Sequence, residues 1–107
     1  MEILTREFMQ GEAIVSEYEY GDYGLIRWEL LEDVILVHPK LFKTTATYFK
    51  RLKDDMHNRM EMYKTMYGHN LFMTVTHNSK LANMLTNGKA EAVGTLAEGV
   101  VYIYDIK

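Results

Sequence analysis

Apolar and polar residues alternate from position 12 to 20, with Ile14, Ser16, Tyr18 and Tyr20 on one side and Val15, Glu17 and Glu19 on the other. A period of two is that of a half-buried strand. Gly21-Asp22-Tyr23-Gly24 follows, a turn composition, and leads into a second strand over 25–30. Val34-Ile35-Leu36-Val37 is apolar on both faces, as a central strand covered from two sides requires. Pro39 has no N–H to give to a ladder and is expected to stop that strand. From 45 to 67 the period lengthens to that of a helix. Phe49, Leu52, Met56, Met60, Tyr63 and then Met66 and Tyr67 recur at steps of three or four, while Lys50, Arg51, Lys53, Asp54, Asp55, Asn58, Glu61 and Lys64 hold the other face. Gly68 stands where a helix end favours a left-handed residue. A strand over 71–76 comes next. Asn78 or Ser79 then caps a short helix running to Leu85, and two strands follow over 90–96 and 100–106. The predicted order is hairpin, strand, long helix, strand, short helix, hairpin. It implies an α/β (α+β) domain, a mixed central sheet with helices laid against it and a βαβ crossover around the long helix.

Composition narrows the class. At 107 residues, with 48% hydrophobic and 25% charged residues, the chain suits one folded domain spanning 1–107 and not a disordered one. It lacks the ~20-residue apolar run of a membrane span. The absence of cysteine removes disulfides, thiol catalysis and thiolate metal sites, and makes an intracellular, cytoplasmic setting the default.

Charge is unevenly spread. Residues 1–33 carry nine acids and two bases, whereas 34–53 carry Lys40, Lys43, Lys50, Arg51 and Lys53 and no acid. The basic block reads either as an anion-binding patch or as a solvated helix face. A pI near 5.8, with no basic stripe interleaved with aromatics, argues against nucleic acid as the main partner. Met56, Met60, Met62 and Met66 fall in the long helix; ordinary core filling accounts for those on its apolar stripe, and a promiscuous hydrophobic groove is the alternative.

Little in the sequence carries chemistry by itself. No two of His38, His57, His69 and His77 have the spacing of a zinc-binding helix, and no metal site is expected. No phosphate-binding glycine loop or nucleophile elbow is present. Asp54 and Asp55 are adjacent on a helix and diverge. His38, at the end of the central strand, has the one histidine position that suggests a site, because open α/β sheets bind ligands there. The hairpin aromatics Tyr18, Tyr20, Tyr23 and Trp28 are either contact residues for a protein partner or cross-strand packing. The long final strand would allow a homodimer through a sheet edge.

Element order and local features over about 12–107 resemble the GNAT (GCN5-related N-acetyltransferase) family. The match runs through Val37-His38-Pro39, the long helix ending at Gly68, the strand 71–76, Asn78, Asn87-Gly88 and the last two strands. It is also similar to short, diverged GNAT-like proteins of tailed bacteriophages, which would place the chain in a host cytoplasm or a virion. The resemblance implies an acetyl-CoA site built on Val37, His38, Lys40, Lys43, Thr45 and Asn78. In the family, a loop of the form Arg/Gln-x-x-Gly-x-Gly/Ala before the long helix holds the cofactor pyrophosphate. Counted from Pro39, those positions are Phe42, Thr45 and Thr47; shifted by one they are Leu41, Thr44 and Ala46. The glycines are lost, although threonine hydroxyls and Lys40, Lys43 and Lys50 could supply substitute contacts. The family's thiolate-protonating tyrosine falls at Leu85, with Ser79, Tyr102 and Tyr104 more remote, and its acceptor-binding helices are short or absent. Glu29, Glu32 and His38 are the available bases. Two readings follow: a GNAT-like scaffold that binds a protein and no cofactor, or an N-acetyltransferase that uses acetyl-CoA through an atypical loop.

Overall fold

A computed structural model describes residues 2–22, 24–42, 45–86 and 88–105. Seven strands form one mixed sheet in the order β1-β2-β3-β4-β5-β7-β6. The strands are β1 Glu2–Gln10, β2 Ala13–Tyr20, β3 Gly24–Leu30, β4 Ile35–Leu41, β5 Leu71–Thr76, β6 Glu91–Leu96 and β7 Gly99–Asp105. Helix α1, Ala46–Tyr67, joins β4 to the parallel β5, and α2, Ser79–Leu85, leads from β5 towards the terminal hairpin. Neighbouring strands are otherwise antiparallel.

Three features depart from the pattern expected of the sequence. The first ten residues contain an extra strand, β1, paired along the whole of β2. Its alternation is broken because the register slips between Leu4 and Arg6, so an unpaired residue shifts which side chains share a face. Second, β4 runs through Pro39 to Leu41 instead of stopping there. β4 pairs with β5 only at Ile35 and Leu36, so beyond them a residue without an N–H costs no ladder bond on that side. Third, β7 lies between β5 and β6. The edges of the sheet are β1 and β6, and the final strand offers no free edge for a dimer.

The apolar stripe of α1 packs as its spacing predicts. Leu52, Met56, Met60 and Tyr63 bury against Tyr20, Ile26, Trp28, Ile35, Val37 and Phe72. Trp28, fully buried, meets Tyr63 and Phe72 edge-on at ring separations of 5.4 and 6.3 Å, a favoured geometry for aromatic pairs. The stripe ends one turn early, leaving Met66 and Tyr67 exposed. Met56 and Met60 of α1 and Ala82 and Thr86 at α2 line one cavity, so both helices lie on the same face of the sheet. The opposite face carries Val15, Glu17, Arg27, Glu29, Leu36 and His38 in register across β2, β3 and β4.

Candidate functional site

The sheet divides at its centre. β4 and β5 pair over two residues, Ile35 with Phe72 and Leu36 with Met73. Beyond that point β4 follows β3 as far as the Gly24–Leu41 pair, and β5 follows β7 as far as Thr76–Val100. A wedge opens between residues 37–41 and 74–76. Ligands of open α/β sheets sit in such a crevice, at the carboxyl ends of strands whose neighbours part. Here the wedge is filled from the helix side. Val37, Pro39, Met56, Met60, Phe72 and Tyr102 close around a cavity of about 30 Å³, room for water-sized guests only.

Five of the six predicted cofactor contacts lie among the described residues. Val37 is buried and lines the cavity. His38 and Lys40 alternate to the other face of β4; His38 is half-buried and Lys40 exposed. Thr45 is the N-cap of α1, its hydroxyl accepting the N–H of Tyr48 at 3.5 Å and its carbonyl that of Phe49 at 3.0 Å. Asn78 opens α2: its carbonyl accepts the Ala82 N–H at 3.2 Å, and its own N–H donates to the Thr76 hydroxyl at 3.0 Å. These residues do not converge on one point. Val37 faces the cavity, the two threonine hydroxyls serve the backbone, and His38 and Lys40 face away. Lys43 and Tyr23 lie outside the described residues. Of the partner-binding candidates, Tyr20 is fully buried in the core, and Tyr18 is half-buried under the Arg59 guanidinium, 4.0 Å from its ring centre. Trp28 is likewise core.

Two groups of polar side chains carry chemical potential. On the face away from the helices, Glu29 Oε1 lies 3.3 Å from Arg27 Nε and 3.4 Å from His38 Nε2. Burial lowers the pKa of His38 below its ordinary value, opposed by the Glu29 carboxylate and aided by Arg27. The imidazole is thus held toward its neutral form, able to accept a proton. On the helix side, Tyr104 also lines the cavity. Burial, and then the nearby Glu61 carboxylate, raises its pKa and keeps the phenol protonated. Among the described residues no group of three or more histidines and carboxylates could hold a metal.

Sequence reasoning did not single out Arg59 or Thr86. Arg59 is buried on α1, its guanidinium between the rings of Tyr18 and Tyr63. It follows Met56 by three and precedes Tyr63 by four, so the signal that could have found it is its helical spacing, which puts it at the margin of the apolar stripe. Thr86 is buried at the end of α2; its hydroxyl donates to the Ala82 carbonyl at 2.8 Å and accepts the Ala90 N–H at 2.9 Å. No local signal marks that second bond, which joins the helix to the approach of β6.

Comparison with protein families, with curated proteins and with solved structures returns no match to this chain. The functional reading therefore rests on the residues and their arrangement.

Proposed function

We propose that this protein is a GNAT-like scaffold that serves as a protein-binding accessory protein and has given up acetyl-CoA. The GNAT-like part of the reading draws on strand order, on the parallel β4–β5 pair that parts after two residues, and on a long helix after β4 and a shorter one after β5. The loss of acetyl-CoA is carried by one observation, the cavity of about 30 Å³ where the family's cofactor arm would enter. The residues before α1 do not suit the cofactor: Phe42 stands in place of the loop's Arg or Gln, Thr45 and Thr47 in place of its glycines, and the Thr45 hydroxyl is engaged as a helix cap. A backbone bearing β-branched side chains cannot approach a pyrophosphate as glycine can. The connection from β1 to β2 is a two-residue turn at Gly11-Glu12, with no helices there to wall an acceptor.

The second reading, an N-acetyltransferase with an atypical loop, draws on Tyr104. A protonated phenol lining the cleft is the kind of group that protonates a leaving thiolate. Calorimetric titration with acetyl-CoA and CoA separates the two. No heat and no thermal shift at millimolar cofactor is the expected result. Micromolar binding that is lost in a Lys40→Ala/Lys43→Ala variant would overturn the scaffold reading in favour of the enzyme.

A further inference from the structure

At the end of the sheet opposite the wedge, the chain leaves a second concavity. It forms where the last turn of α1 meets the β1–β2 and β3–β4 turns, and it encloses about 580 Å³, within the range of ligand and peptide sites. Its apolar wall is Ile14, Leu30, Leu31 and Tyr67. Ile14 is 43% exposed and Tyr67 56%, and Met9, paired with Ile14 across β1–β2, is 62% exposed. Apolar residues this open, gathered in one place and rimmed by charge, mark an interaction surface. The rim is Glu12, Glu32 and Asp33, all exposed and none in an ion pair among the described residues. His69 is the one basic side chain lining the concavity. The C-terminus of α1 points to the same place, and its macrodipole adds partial negative charge.

We infer that this groove docks a basic amphipathic segment of a partner protein, one that sets lysine or arginine beside a large aliphatic or aromatic residue. Three unpaired carboxylates and a helix C-terminus select the cation, and the Ile14–Leu30–Tyr67 wall takes the apolar side chain. An anionic or purely polar segment leaves one half of the groove unsatisfied. The inference depends on the binding-protein reading for the existence of a partner. The cofactor titration probes the other end of the sheet, so the two results are read separately.

The test uses the full chain, isotopically labelled for NMR, and a synthetic twelve-residue peptide of leucine and lysine. Two counterparts accompany it, one with glutamate for lysine and one with serine for leucine. The expected result is binding with shifts concentrated on Glu12, Ile14, Leu30–Asp33 and Tyr67. Affinity should fall at least tenfold in Glu32→Lys/Asp33→Lys, whose positions are exposed turn residues, and at least tenfold in Ile14→Ser, which keeps the charge. Shifts spread instead over Glu17, Glu19 and Glu91 would reduce the effect to diffuse charge attraction and overturn the assignment. Equal binding of the serine peptide would do the same. If the chain alone gives the groove shifts on concentration, a second copy is the occupant and the foreign partner is wrong.

Discussion

Glu29 lies beside two neighbours of different character, a permanently charged guanidinium and an imidazole whose charge depends on pH. For His38 the loss of water outweighs the attraction of the carboxylate, and its pKa falls below 6.5. Linkage fixes the sign. As pH drops below 6.5 the unfolded chain takes up the proton first, so the native state loses stability until the folded-state pKa is passed. Denaturation by urea at pH 7.5, 6.0 and 5.0 should show a larger loss for the wild type than for His38→Gln. Equal losses would mean that the imidazole stays as well hydrated in the fold as in the open chain. The histidine's position at a strand end was legible in the sequence, but its partial burial beside Arg27 and Glu29 depends on β3 as its neighbour.

At the scale of elements, the terminal hairpin is locked to β5 by a close approach. Gly99 begins β7 with φ +145°, and a Cβ built there would lie 2.5 Å from the Thr76 carbonyl carbon and 2.8 Å from the His77 nitrogen. Both obstacles are backbone and cannot swing aside. Gly99→Ala is expected to destabilise by about 2–4 kcal/mol, from backbone strain and overpacking together, read as a lower urea midpoint. Gly94→Ala, with open space around the new methyl, should leave the midpoint nearly unchanged and serves as the control. The elements themselves were readable where periodicity was clean: α1, β2, β3 and β5 fall where their patterns put them. β1 escaped because its register slip erases the alternation. β4 outran its proline because the neighbour that would have needed the missing N–H has turned away.

Across the whole molecule, one core ties α1 to β2, β3, β4 and β5. Trp28, the sole tryptophan, is its largest fully buried side chain. Its emission therefore reports on the packing of this core, while far-UV circular dichroism reports on both helices and the sheet. Coincident urea transitions by the two probes are expected of a single cooperative unit. A circular dichroism transition that precedes the tryptophan signal would divide the chain into two units, the terminal hairpin being the first candidate to loosen. The same scale gives the charge pattern its meaning. The acidic first third is not one surface: Glu17 and Glu29 pair with arginines on the open face, whereas Glu12, Glu32 and Asp33 gather at the groove.

The sequence by itself determined the α+β class, the long helix with its buried stripe, and the absence of glycine from residues 40–46 before that helix. Each of these is local, set by side-chain period or by residue type at one turn. Only the tertiary structure decided that the central wedge is filled, that Tyr20 and Trp28 are core, and that β7 is interior to the sheet. It also brought Glu12, Glu32, Asp33 and Tyr67 to one place, from three connections far apart in the chain. Such outcomes depend on which strands are neighbours and how far they stay paired. No window of sequence contains that, because it is fixed by residues that meet only when the sheet closes over its helices.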